Sequence, residues 1–265
     1  MSLAHDYETL NVTVSDAVVH IQMSTDAPFN ALTPTLVEEL LDVAIHCNTD
    51  IDVRAIALTG SEGGFCAGAD LRLFEGGDAD PVKLRRIAST LHESIRELHA
   101  AGVPIVTGVN DVAAGAGFGL ALFGDIVLVS DEARMEFAYP RIGLAADAGT
   151  TYLLPRLVGL RKALEIALRN EPISPHQAVE MGLATEVVPD DELGQQLDEV
   201  AHELASGPTA AFSETRRLLY ESFDRGMADQ LAAEEEAMSR VAQTEDFRRG
   251  LKAFFARESP DFQGE

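Results

Sequence analysis

The sequence predicts an α/β protein with a helical C-terminal region. Two patterns carry that prediction. Up to about residue 129, short apolar strand-like runs alternate with segments of helical periodicity. From about Gly149 onward the pattern is helical throughout. A third observation sets the scale: 265 residues, 46% hydrophobic and 24% charged, suffice for a large buried core.

The elements follow in order. Asn11–Val14 and Val18–Met23 alternate like the arms of a hairpin, with the turn placed at Ser15–Asp16. Thr33–Pro34 opens a helix that runs to about His46, because Thr33 can cap it and Pro34 suits its first turn. Arg54–Thr59 is a short apolar strand. Leu84, Ile87, Leu91, Ile95 and Leu98 recur at helical spacing over about 83–100. Pro104–Val109 reads as a strand, a Gly-rich turn leads into an apolar helix, and Ile126–Val129 returns to strand. Helical segments follow near 160–169, 175–181, 190–205, 208–223, 227–242 and 245–257, separated by Pro, Gly or acidic breaks. No long linker, low-complexity stretch or fixed-period repeat interrupts them.

Composition excludes several classes of function. The net charge of −24, with three lysines (Lys83, Lys162 and Lys252), repels nucleic acid and anionic membrane surfaces. No apolar run reaches the ~20 residues that span a bilayer. Met1–Tyr7 lacks the basic-then-apolar pattern of a secretory signal. Cys47 and Cys66 form neither a disulfide framework nor a metal-binding spacing. A cytoplasmic protein with no bound metal is expected. The acidity also argues against broad capture of an anionic ligand, so any phosphate needs local help from arginines such as Arg72, Arg85, Arg86 or Arg257.

Two clusters can carry chemistry. Phe65-Cys66-Ala67-Gly68-Ala69-Asp70 follows a strand, and its small residues let the backbone approach a ligand with N–H groups uncovered. The alternative is a tight strand-to-helix turn capped by Asp70. Val112 to Gly119 follows the next strand and opens an apolar helix, which leaves first-turn N–H groups unpaired. Its glycines stand at 115, 117 and 119, which is not dinucleotide-fingerprint spacing. Close helix–strand packing is the structural alternative. Together the clusters offer two backbone N–H sites, as an oxyanion requires, each donor worth roughly 3–4 kcal/mol in a transition state.

With these stretches in view, the chain resembles the crotonase superfamily, the enoyl-CoA hydratase/isomerase family. The resemblance rests on Asn30-Ala31-Leu32, FCAGAD (65–70), PIVTGVNDVAAGAGFGLALFGDI (104–126), GLAADAGTTYLLPRLVG (143–159), ALEIALRNEPISPHQAVEMGLATEVVP (163–189) and GLKAFFARESPDFQG (250–264). It implies a β-β-α spiral core over residues 1–200, a helical trimerisation region over 201–265, and a homotrimer or dimer of trimers. It implies an acyl-CoA thioester substrate and no separate cofactor, since CoA is part of the substrate. The oxyanion donors it implies are the N–H groups of Ala69 and Ala116, the latter beside Gly115. Backbone groups near Ala67, Asp70 and Leu71 would bind the CoA end, and Phe254 and Arg257 of the last helix match positions that reach CoA, in some relatives from a neighbouring subunit.

The departures decide more than the matches. Family hydratases use two glutamates, and those positions here are Gly119 and Tyr139. Neither is a carboxylate acid/base. One carboxylate remains in the right segment, Asp147, where isomerase-type members and the 4-chlorobenzoyl-CoA dehalogenases place a catalytic Asp. Locally, Asp147 could instead cap a helix from Ala148. The dehalogenases are also similar at His92 and in an aromatic residue at the Tyr139 position; His92 and His99 otherwise read as packed helix residues. The expected function is therefore enolate stabilisation by an enoyl-CoA double-bond isomerase, with Asp147 as acid/base and Tyr139 lining the acyl pocket. The alternatives are a hydratase of atypical site, a dehalogenase-like hydrolase and a non-catalytic acyl-CoA-binding protein.

Overall fold

A computed structural model describes residues 6–75 and 80–265. Six strands form one sheet in the order β1-β2-β3-β4-β6-β8: β1 (Leu10–Ser15), β2 (Val18–Met23), β3 (Ala55–Gly60), β4 (Ile105–Val109), β6 (Ile126–Ser130) and β8 (Glu186–Val188). β1 and β2 are antiparallel, and every later pairing is parallel. The hairpin turns one residue later than the sequence predicts. Asp16 and Ala17 both take positive φ, 45° and 66°, the pattern of a two-residue type I′ loop that matches the strand twist.

Three short strands escape the sequence reading: β5 (Val112–Ala114), β7 (Arg134–Glu136) and β8. Each has three residues, too few for an alternation signal to stand out. β5 and β7 pair in parallel as a second small ladder, which isolated bridges extend at Leu32–Ala69, Cys66–Ala113 and Met135–Ile173. The chain thus repeats one unit: a strand in the large sheet, a short segment in the small ladder, then a helix. These helices are α1 (Pro34–Thr49), α2 (Pro81–Ala100), α3 (Ala116–Leu122) and α4 (Thr150–Arg169), the last broken at Gly159 (φ 75°). This is the expected β-β-α spiral. Thr33 caps α1 as predicted, its side chain accepting from the Leu36 N–H.

The strands are buried on both faces, and the faces differ. Val19, Ile21, Met23, Ile56, Leu58, Ile105 and Val109 point into the main core, with α1, α2 and α3. Val18, Ala55, Ala57 and Val106 point the other way, toward α6 (Leu193–Ala205) and its Leu197 and Ala201. Small residues prevail on this second face because α6 lies close: a methyl on Gly108 would stand 3.0 Å from a Leu197 methyl. α6 runs unbroken through residues 200 and 201, so the division expected there falls inside a helix that belongs to the sheet. The chain leaves the sheet instead at Ser206–Pro208, and α7 (Thr209–Glu221), α8 (Met227–Val241) and α9 (Glu245–Ala256) follow, with α5 (Pro175–Glu180) completing the set. Among the described residues no helix is long and apolar enough to cross a membrane.

Candidate active site

The first cluster is shaped by two ladders at once. Leu32 donates to the Gly68 carbonyl (2.7 Å) and accepts from the Asp70 N–H (3.1 Å). In a parallel bridge of that kind the central residue directs its own N–H to the opposite side. The Ala69 N–H therefore faces away from Leu32 and has no acceptor among the described residues. Three residues earlier, Cys66 pairs with β5 in the same manner, donating to Val112 O and accepting from the Ala114 N–H (both 2.9 Å).

The second cluster begins where β5 ends. Gly115 takes φ 55° and ψ −123°, a conformation essentially confined to glycine, and its N–H is held by the Glu136 carbonyl. That twist starts α3 at Ala116, whose N–H is among the first-turn donors that a helix leaves unpaired. Two glycines press the clusters together. A methyl on Gly68 would lie 3.1 Å from Ala116 N, and one on Gly117 would lie 1.9 Å from Cys66 O. The close-packing alternative for this turn is thus also true. Packing brings the Ala69 and Ala116 N–H groups to the wall of one cavity of about 390 Å³.

That cavity is mostly apolar. Leu84, Ile87, Ala88 and Leu91 of α2 form one side, and Tyr139, Ile142, Leu144 and Ala145 another, with Ala67, Leu71 and Gly115 at the cluster wall. Asp147 is the one acidic side chain among the described residues that line it. The apolar stripe of α2 partly faces this space. A larger cavity of about 680 Å³ lies elsewhere, between α4 and α7, and contains none of these groups.

The loop from Ala138 to Gly149 carries the side-chain chemistry. Ala138, Gly143, Ala148 and Gly149 all adopt left-handed backbone (φ 52° to 72°), costly for the two alanines. Asp147 does not cap α4: the N-cap is Gly149, with no side-chain cap bond. Its Oδ1 instead accepts from the Tyr139 hydroxyl at 2.7 Å. Burial, and then the Asp147 charge, push the Tyr139 phenol far above its usual range, so it stays protonated and donates. His92 stands behind this pair. Its Nε2 accepts from the Ala148 N–H (3.1 Å), which fixes that nitrogen without a proton. The 3.9 Å approach of His92 Nε2 to Asp147 Oδ2 is therefore not an ion pair.

The hydratase positions take on a physical meaning here. A Cβ on Gly119 would meet Thr150 Oγ1 at 2.5 Å and Ala148 O at 2.7 Å. The space that a side chain at 119 would need is filled by the start of α4. Tyr139 is buried, edge-on to Phe137, and committed to Asp147.

Other expected site residues go elsewhere. Asp70 takes the capping role: it accepts from the Arg72 N–H and is bracketed by the Arg72 guanidinium, which holds its carboxyl below the usual range. It lies outside the cavity lining, so it is not a direct contact in the cavity. Phe254 is 75% exposed and Arg257 follows α9 at φ 59°; neither reaches this cavity within the chain. Burial pushes the Cys66 thiol up to about 12, which removes it as a nucleophile. Arg141, missed in the sequence, lines the cavity with Arg85 and pairs with the buried Glu136.

Comparisons with known proteins agree with this architecture. The enoyl-CoA hydratase/isomerase family profile matches residues 13–265. A probable enoyl-CoA hydratase of Rhodobacter capsulatus is 35% identical over 97% of this chain and 99% of its own length. The 1,2-epoxyphenylacetyl-CoA isomerase of Escherichia coli is 31% identical over 95% and 97%. The crystal structure of a putative enoyl-CoA hydratase/isomerase from Mycobacterium abscessus superposes with a TM-score of 0.92 at 33% identity, covering 97% of this chain and all of that one. The chain belongs to the enoyl-CoA hydratase/isomerase family of the crotonase superfamily, whose members act on acyl-CoA thioesters.

Proposed function

We propose that the protein is an enoyl-CoA double-bond isomerase in which Asp147 moves the proton. One observation carries the reading: among the described residues a single carboxylate shares a mostly apolar cavity with two unpaired backbone N–H groups. The thioester carbonyl accepts from Ala69 and Ala116, and charge that develops on its oxygen during enolisation is stabilised there. Asp147 Oδ1 is held by Tyr139, which leaves Oδ2 to take a proton from one carbon and return it to another. A 1,3-shift needs one such group. Hydration needs water activated as well, and the second position for that is closed at Gly119.

The remaining contacts follow from position. Ala67 and Leu71 offer backbone groups at the cluster wall for the adenine end of CoA, and Arg85 and Arg141 supply charge for its phosphates. Phe254 and Arg257 contribute from a neighbouring subunit of a trimer. No separate cofactor is required. The dehalogenase reading has less support, because its histidine must accept a proton from water and His92 Nε2 is already taken by Ala148.

The test is a set of enoyl-, dienoyl- and aryl-CoA thioesters incubated in deuterated water and followed by NMR and mass. The expected result is deuterium in the acyl chain and a moved double bond, both lost in Asp147→Asn. Hydration at the wild-type site, halide release from an aryl thioester, or exchange that persists in Asp147→Asn would each overturn it.

A further inference from the structure

A second group of ligand-type side chains lies on the opposite face of the large sheet. His20 occupies a β2 position between Val18 and Gln22 and points, like Val18, toward α6. Asp198 and His202 sit one helical turn apart on α6. Ser15 ends β1 beside them, paired with Val18. Sequence reading passes over this set, because its members are 178 or more residues apart along the chain apart from the two neighbouring pairs, as the Ser15–His202 separation of 187 illustrates.

The orientations are more specific than proximity. His202 Nδ1 lies 2.8 Å from the Asp198 carbonyl, where it donates, so its Nε2 presents a lone pair. His202 Nε2 and His20 Nε2 each lie 3.2 Å from the Ser15 hydroxyl oxygen. The hydroxyl therefore stands between the two ring nitrogens. His20 Nε2 is also 3.4 Å from Asp198 Oδ1. Adjacent ligands of a tetrahedral ion with bonds of about 2.0–2.1 Å stand about 3.3 Å apart. Ligand atoms from His20, Asp198 and His202 all lie within 4.8 Å of one another. Partial exposure of all three side chains, 21% to 57%, provides a path of entry.

We propose that His20, Asp198 and His202 bind one divalent transition-metal ion, of the imidazole-favouring class that includes Zn²⁺, with Ser15 or water at the fourth corner. Two imidazoles and one carboxylate suit that class. The His202 Nδ1 contact to a backbone carbonyl is the outer-shell arrangement that fixes a ligating ring. The ion ties the β1–β2 edge to α6 and takes no part in thioester chemistry, which lies across the sheet.

The test is calorimetric titration of the full-length protein with Zn²⁺, run beside thermal melting. One Zn²⁺ per chain and a raised melting temperature are expected. His20→Ala and His202→Ala should each weaken binding at least tenfold while isomerase turnover is unchanged. Co²⁺ provides a readout that needs no variant: the wild type should develop the strong visible bands of a four-coordinate ion, and the ¹⁵N signals of two histidine rings should move. The proposal fails if Zn²⁺ binding does not saturate, if both variants bind as well as wild type, or if the ion perturbs histidines other than 20 and 202.

Discussion

The two walls of the cavity that holds Asp147 are built on different principles. The wall carrying Ala69 and Ala116 is entirely backbone. Ladder bonds to Leu32 and Val112 aim it, and glycines 68 and 117 hold it, with no room for a methyl at 117. The wall carrying Tyr139 and Asp147 is a left-handed loop in which side chains hold one another. The first wall tolerates almost no change in shape, yet its donors are indifferent to side-chain identity. The second can exchange its side chains while the backbone stays in place. On the proposed function, that asymmetry lets one scaffold keep its oxyanion donors fixed while the reacting side chains vary.

Removing Asp147, the proposed proton carrier, is the strongest way to test the division. Asp147→Asn should lower kcat by about 10²–10⁴-fold, the usual range for an acid/base group, and leave the melting temperature nearly unchanged. Steady-state rates and calorimetry on the same preparation check both halves. Gly117→Ala attacks the other wall. Its methyl must displace Cys66 O, so the Ala116 N–H shifts, with about 10²–10³-fold loss of kcat. Here stability should fall too, by about 1–3 kcal/mol of overpacking, which denaturant melts would measure. Loss of rate in both variants but loss of stability only in the second is the signature of two differently built walls.

Smaller changes sharpen it. Tyr139→Phe removes one hydrogen bond to a charged group, about 1.5–3 kcal/mol, so kcat should drop about 10–100-fold with KM little affected. Gly119→Glu should gain no hydratase activity and should melt earlier, because its Cβ collides with Ala148 O and Thr150 Oγ1. Water addition by that variant, read by mass, would show that the start of α4 can yield.

The smallest effect lies away from the site. Glu214 joins α7 to α8 through Arg240 and also pairs with Arg217 of its own helix, and the Arg240 bond holds its carboxyl down at about 2. A depressed carboxylate stabilises the fold above its unfolded pKa, roughly 4.3, and loses that contribution as pH falls toward the folded value. Glu214→Gln should therefore lower the melting temperature by about 2–4 °C at neutral pH. The gap should close steadily below about pH 4. A gap independent of pH would mean that shape, not charge, joins the helices.

Much of this was legible in the residues, and the exceptions are instructive. Strands of five or six residues such as β2, β3 and β4 announce themselves by their apolar runs. The three-residue strands β5, β7 and β8 do not, because they exist only where a partner edge is presented. Asp70 and Asp147 have equally good cap positions in sequence. Asp70 caps and Asp147 does not, because the Gly149 turn starts α4 two residues later and leaves the Asp147 carboxylate for Tyr139. Arg141 and the His20–Asp198–His202 group were invisible for the same reason: no local pattern relates residues that meet across elements.

By itself the sequence determined the alternation of strands and helices, the helical C-terminal region and the two small-residue clusters, which are properties of short stretches set by side-chain size, periodicity and the freedom of glycine; the spiral and the missing hydratase glutamates came through its resemblance to the crotonase superfamily. Tertiary structure alone decided that Ala69 and Ala116 offer their N–H groups to one cavity, that Asp147 is its single acid among the described residues, and that position 119 has no space to be anything but glycine. Those are matters of distance between segments far apart in the chain, and only packing sets such distances.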